Sequence, residues 1–143
     1  MSRLILADTG PLVALFNKGD AAHRWAISRF QEFTEPLATC EAVLTEAFHL
    51  LRKISPSQSY LLTLWVRGLL RIELSAENEK EAIRGLLRRF RSVRISFADA
   101  CLIRMSELHQ DCAVWTLDND FRVYRRSGRQ SIPLLMPSVT ERQ

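Results

Sequence analysis

At 143 residues and 47% hydrophobic content, the chain holds enough apolar material for one proper core, so it reads as one domain spanning 1–143 and excludes a second. No run approaches the roughly 18 to 20 consecutive apolar residues of a membrane span, and the opening MSRLILAD passes from one arginine into a strand-like stretch without a signal-peptide cleavage pattern. This predicts a cytoplasmic protein with no membrane partner, and the net charge of +4 with a pI near 9.3 points to polyanions.

In chain order, short β-rich runs alternate with longer helical ones, the pattern of a parallel sheet covered by helices. Leu4 to Ala7 is the first strand. A helix follows from Pro11 to Phe16, and Asp20 caps another running to Phe33, with Trp25, Ala26, Phe30 and Phe33 spaced for burial. Leu37 to Thr39 reads as a second strand and Glu41 to Lys53 as a helix. Ser55-Pro56 ends that helix and starts another, Ser57 to Leu70, where Tyr60, Leu61, Leu64, Trp65 and Leu69 form either a core stripe or a partner face. Arg71 to Leu74 is a third strand, Glu77 to Arg91 a charged amphipathic helix, and Ala98 to His109 another helix. Ala113 to Leu117 is a clear late strand, Asp120 to Arg126 a short helix, and Ile132 to Leu135 closes the sheet. The fold class that follows is α/β, a three-layer α/β/α sandwich around a central parallel sheet. Cys40, Cys101 and Cys112 are odd in number and lack a CxxC spacing, so buried reduced thiols are expected.

Four acids stand out. Asp8 and Asp118 each end an apolar run, Asp99 follows Ser96 in an S-x-x-D pattern, and Glu46 sits among Ala42, Val43 and Leu50 with no matched lysine. An aspartate before Thr9-Gly10-Pro11 serves equally well as a helix cap, and Asp99 is equally well a capping-box acid. Glu46 has no capping role, and Glu41 lies about 140° away around the helix. Asp120 is either a fifth ligand or a first-turn acid. Two strands ending in aspartate matter jointly, because open parallel sheets bind ligands beyond their carboxyl ends.

Carboxylates alone suit a hard divalent cation, magnesium or manganese, which takes oxygen ligands and keeps several waters. Such an ion activates water and neutralises a leaving oxygen, so metal-dependent hydrolysis of nucleic acid is the leading chemistry. Two arginine clusters support it: Arg84, Arg88, Arg89, Arg91 and Arg94, then Arg122, Arg125, Arg126 and Arg129. Each adjoins an acidic candidate, and Arg89, Arg91, Arg94 and Arg122 are the candidate RNA contacts. A solvated helix face is the plainer account of either run alone.

At these residues the chain resembles a known family. LADTGPLVALF, LTEAFHLL, ISFADACLI and WTLDNDFRVYRR occur in the order of the PIN domain, across nearly the whole chain, and the length resembles the VapC-type toxins of bacterial toxin-antitoxin pairs. The resemblance implies an endoribonuclease with Asp8, Glu46, Asp99 and Asp118 as catalytic quartet, and Asp8, Asp99, Asp118 and Asp120 toward the metal. Thr9 and Thr116 resemble its supporting hydroxyls. It also implies an RNA substrate, a homodimer and a cognate antitoxin covering the groove. Two other classes stay open: a nucleic-acid-binding or RNA-maturation protein outside such pairs, and an aspartyl phosphotransfer protein. The latter wants a lysine near the site after a late strand, whereas no lysine follows Lys80.

Overall fold

The strands form where apolar residues run almost without interruption, as burial on both sheet faces requires. In the computed structural model, which describes residues 3–138, β1 (Leu4–Ala7), β2 (Leu37–Thr39), β3 (Leu70–Ile72), β4 (Cys112–Trp115) and β7 (Leu134–Leu135) make one parallel sheet in the order β3-β2-β1-β4-β7. Leu6 pairs with Ala38 on one side of β1 and with Val114 on the other. Among the described residues six helices cover the sheet: α1 (Thr9–Phe16), α2 (His23–Glu32), α3 (Glu41–Leu50), α4 (Ser57–Val66), α5 (Lys80–Arg89) and α6 (Phe97–Leu108). α1 packs on α2, α3 and α4, while α5 packs on α6, which lies against β1 and β4. This is the expected α/β sandwich.

Its core is continuous, with Leu6, Leu12, Leu102, Ile103 and Trp115 fully buried. Phe33 meets Trp115 edge-on at 5.2 Å. The three cysteines are buried free thiols, as expected. Among the described residues no helix is long and apolar enough to cross a membrane.

The differences from expectation have local causes. α1 begins two residues early because Asp8 caps it directly, and Pro11 falls in the first turn, where no N–H is needed. Asp20 does not cap α2; its carboxylate accepts the Ala22 amide at 2.9 Å in a turn that precedes the helix. α3 ends at Leu50, with turns over 51–53, and α5 is trimmed at both ends. α4 ends at Val66 because Gly68 takes a left-handed φ of 79°, letting Leu69 N–H reach Leu64 C=O at 3.0 Å and Gly68 N–H reach Trp65 C=O at 3.0 Å. Its stripe splits: Leu61 and Leu64 are buried, whereas Tyr60, Trp65 and Leu69 are exposed.

The largest correction lies after β4. The expected helix Asp120–Arg126 is a single tight turn, Asn119–Arg122, followed by the strand β5 (Arg125–Arg126), which pairs antiparallel with β6 (Gln130–Ser131). Ser127 and Gly128 take positive φ and reverse the chain between them. Arg126 is buried, donating to Ser106 C=O at 2.8 Å, so it serves the fold and not a solvated basic face.

Gly68 is testable cleanly, because a Cβ there meets nothing within 4 Å and only the backbone is strained. Gly68→Ala is expected to cost about 1 kcal/mol, read as a lower urea midpoint at constant m-value. An unchanged midpoint would show that the left-handed residue does not terminate α4.

Candidate active site

From β1 the chain builds outward through β2 and β3, then returns to place β4 and β7 on the other flank, so the strand order reverses between β1 and β4. Open parallel sheets bind ligands in the crevice at such a point. Asp8 leaves β1 there, and its amide donates to Trp115 C=O at 3.0 Å.

Asp8 is fixed at both oxygens. Oδ1 accepts the Thr9 amide at 2.8 Å and Oδ2 accepts the Thr116 hydroxyl at 2.6 Å. Thr116 Oγ1 in turn accepts the Asp118 amide at 2.9 Å, and Asp118 Oδ1 accepts the Asp120 amide at 2.9 Å. The Thr9 hydroxyl donates to Glu46 Oε2 of α3 at 3.2 Å. Asp99, in the first turn of α6, has its amide bonded to the capping Ser96 Oγ at 3.0 Å, and its Oδ2 accepts the Tyr124 hydroxyl at 2.8 Å. Capping and convergence on one site are thus compatible in Asp8 and Asp118, whereas Asp99 receives its cap from Ser96 and leaves its carboxylate to the site and to Tyr124.

The result is a groove of about 450 Å³ lined by Asp8, Glu46, Asp99, Asp118 and Asp120, with Thr9, Gly10, Leu50, Arg94, Ser96 and Leu117. All five sequence-predicted acids meet there. Glu46 differs from expectation in being exposed: it stands on the solvent edge of α3, and Val43, Leu44 and Ala47 form the buried face. Of the arginines, Arg94 lines the groove. Arg89 donates to Gly128 C=O and lies over the Phe90 ring at 4.9 Å, Arg122 bonds Asn119 Oδ1 at 3.2 Å, and Arg91 is exposed outside the lining. A roomier recess of about 580 Å³, bordered by Arg3, Glu35, Arg71 and Glu73, contains none of these acids.

Gathering the acids has an electrostatic cost. Burial, with the charges of Asp99 and Asp118 adding to it, pushes the Asp8 carboxyl from an ordinary 3.8 up to about 6, against the Thr116 and Thr9 hydrogen bonds that hold it down. Asp99 is also raised, first by burial, while the Tyr124 hydroxyl counteracts.

No family model matches the sequence, and no curated protein matches it. Among solved structures the chain is similar to VapC20 of Mycobacterium tuberculosis, a sarcin-ricin loop cleaving toxin. The TM-score is 0.73 at 25% identity, covering 90% of this chain and 98% of that one. The fold is that of a VapC-type PIN domain.

Sequence reasoning about this PIN-like fold missed Tyr124. It is fully buried, packed edge-on by Phe90 and Phe121 at 5.3 and 5.1 Å. A buried tyrosine hydroxyl needs a partner, and its position in DNDFRVY was the available signal.

The groove offers carboxylate oxygens and neither histidine nor cysteine, a donor set for a hard cation. Among the described residues no three such side chains form a ready cage, and both Asp8 oxygens are already engaged. That fits a magnesium-like ion held through one or two carboxylates, with its other positions filled by water.

The folded protein binds the Asp8 proton more tightly than the unfolded chain does, so metal-free stability falls as pH rises from about 4 to about 6 and stays lower above it. Asp8→Asn keeps the shape without the charge, and in chelator near pH 8 it should be roughly 1–3 kcal/mol more stable than the parent, the gain vanishing near pH 4. Urea unfolding at both pH values measures this, and a variant no more stable near pH 8 contradicts it. Tyr124→Phe should cost about 1.5–3 kcal/mol near pH 8, where Asp99 is charged, and less near pH 4. An equal cost at both would mean that the hydroxyl does not hold a carboxylate.

Proposed function

We propose that this PIN domain is a magnesium- or manganese-dependent endoribonuclease, the toxin of a toxin-antitoxin pair acting in the cytoplasm. The observation that carries the reading is the convergence of Asp8, Glu46, Asp99, Asp118 and Asp120, from widely separated segments, on the crevice where the strand order reverses. The likeness to VapC20, a sarcin-ricin loop cleaving toxin, supports RNA as the substrate.

In this reading Asp8, Asp99, Asp118 and Asp120 hold the ion, directly or through its waters. When bound, the ion supplies charge neutralisation at the phosphodiester and a nucleophilic water at neutral pH. Thr116 keeps Asp8 oriented through its 2.6 Å donation, and Tyr124 does the same for Asp99. Glu46, exposed at the rim and steadied by Thr9, is assigned the acceptance of a proton from the attacking water. Arg94 on the groove wall neutralises a backbone phosphate of the RNA, and Arg89, Arg91 and Arg122 extend a weaker basic surface. The exposed Tyr60, Leu62, Trp65, Val66 and Leu69 of α4 and the turn after it supply apolar surface for a second copy or an antitoxin.

The test is incubation of the purified protein with a mixed RNA pool in magnesium, in manganese and in chelator, alongside Asp8→Asn. Cleavage is expected only with metal, and the variant should fall at least about 100-fold. Binding without cleavage under every metal would replace the nuclease with an RNA-binding protein.

A further inference from the structure

Two of the three thiols meet in the core. Cys40 follows β2 and caps the N-terminus of α3, whereas Cys101 lies in α6, yet their side chains interact directly. Both are shielded from solvent, at 2% and 1% exposure. Cys112 is placed differently: it opens β4 at the amino end of the sheet, its sulfur 4.0 Å from Ser106 C=O and 3.5 Å from a buried guanidinium nitrogen of Arg126. The pair sits at the carboxyl end instead, where Thr39 at the end of β2 donates to Ala7 C=O at 2.8 Å, one residue before Asp8.

A cysteine used only as a small apolar filler needs no second sulfur against it. Cross-linking within a folded chain requires that the two sulfurs already be neighbours, and here the packing of α3 on α6 keeps them so. Burial decides which oxidant can act. A bulky disulfide such as oxidised glutathione has no line of attack on either sulfur. Hydrogen peroxide is small and uncharged, and brief local openings admit it.

We propose that Cys40 and Cys101 are an oxidisable pair, converted by a small peroxide into an intramolecular disulfide that ties the start of α3 to α6. In the first step one sulfur attacks a peroxide oxygen, the O–O bond breaks, and a sulfenic acid and one water result. In the second, the other sulfur attacks the sulfenic sulfur, the S–S bond forms, and the hydroxyl leaves as a second water. Both thiol protons end in water, the two sulfurs are oxidised and the peroxide is reduced. The bond joins the helix that carries Glu46 to the helix that carries Asp99 and closes a long loop, which favours the folded chain over the unfolded one. In a reducing compartment the pair stays as thiols until peroxide rises.

The experiment treats the reduced full-length protein with hydrogen peroxide in chelator, blocks the remaining thiols with N-ethylmaleimide and maps unreduced peptides by mass spectrometry. The expected main product is a peptide pair joined through Cys40 and Cys101, with Cys112 recovered as the alkylated thiol. The urea midpoint should rise by roughly 1 M and return with dithiothreitol. Cys112→Ser should keep both the crosslink and the rise, and Cys40→Ser or Cys101→Ser should abolish both. If either of the last two fails to fold, the wild-type peptide map decides alone. Unreacted thiols, oxidation first at Cys112, a covalent dimer, sulfinic acid in place of the crosslink, or a crosslink without the rise would each overturn the proposal. None of these outcomes depends on the ribonuclease reading.

Discussion

The Thr116 hydroxyl joins the two central strands at the point where their chains diverge. It donates to Asp8 at the end of β1 and accepts the amide of Asp118 beyond β4, so one oxygen sets the spacing of two carboxylates that would otherwise repel. A buried hydroxyl of this kind has no water to fall back on, and its two bonds define a single arrangement. The positions of Thr9, and through it Glu46, depend on the same corner, since Asp8 also caps the helix on which Thr9 stands.

Around that corner the protein holds charge where the surrounding packing disfavours it. Asp8 and Asp99 lie beside the apolar core, and burial there raises both carboxyls. Hydrogen bonds from Thr116, Thr9 and Tyr124 offset part of that cost without removing it. Under the proposed function, a cation drawn into the groove would relieve the remainder and so link stability to ligand binding through the same few side chains.

Much of this was legible in sequence because apolar periodicity and capping chemistry are local. LILA forms the expected buried strand, the late strand expected over Ala113–Leu117 runs over Cys112–Trp115, and the Ser96-to-Asp99 pattern marked the start of α6 to within one residue. Glu46 was included for a reason that does not hold. Its neighbours in sequence suggested burial, yet it projects from the exposed edge of α3, because three apolar residues on one turn do not fix which way the fourth position faces. The hairpin of β5 and β6 was invisible, since Arg-Arg and Gln-Ser have no strand pattern and are held by a turn with two positive φ values. Tyr124 escaped because its partner lies 25 residues away on another element. The arginine clusters misled for a related reason: charge count does not reveal that Arg126 is buried against Ser106 while Arg94 faces the acids.

The pairing of β1 with β4 also dictates when the site exists during synthesis. The Thr116–Asp8 bond spans 108 residues, and Leu4 pairs with Cys112 at the centre of the sheet. A nascent chain carries Asp8, Glu46 and Asp99 long before it carries Thr116 or Asp118, and β1 lacks its inner neighbour until β4 has left the ribosome. Loop closure over that length is slow and comes late. Translation products that stop short of β4 therefore contain most of the acidic residues but not the β1–β4 corner, so the crevice is complete only after Asp118 has been made.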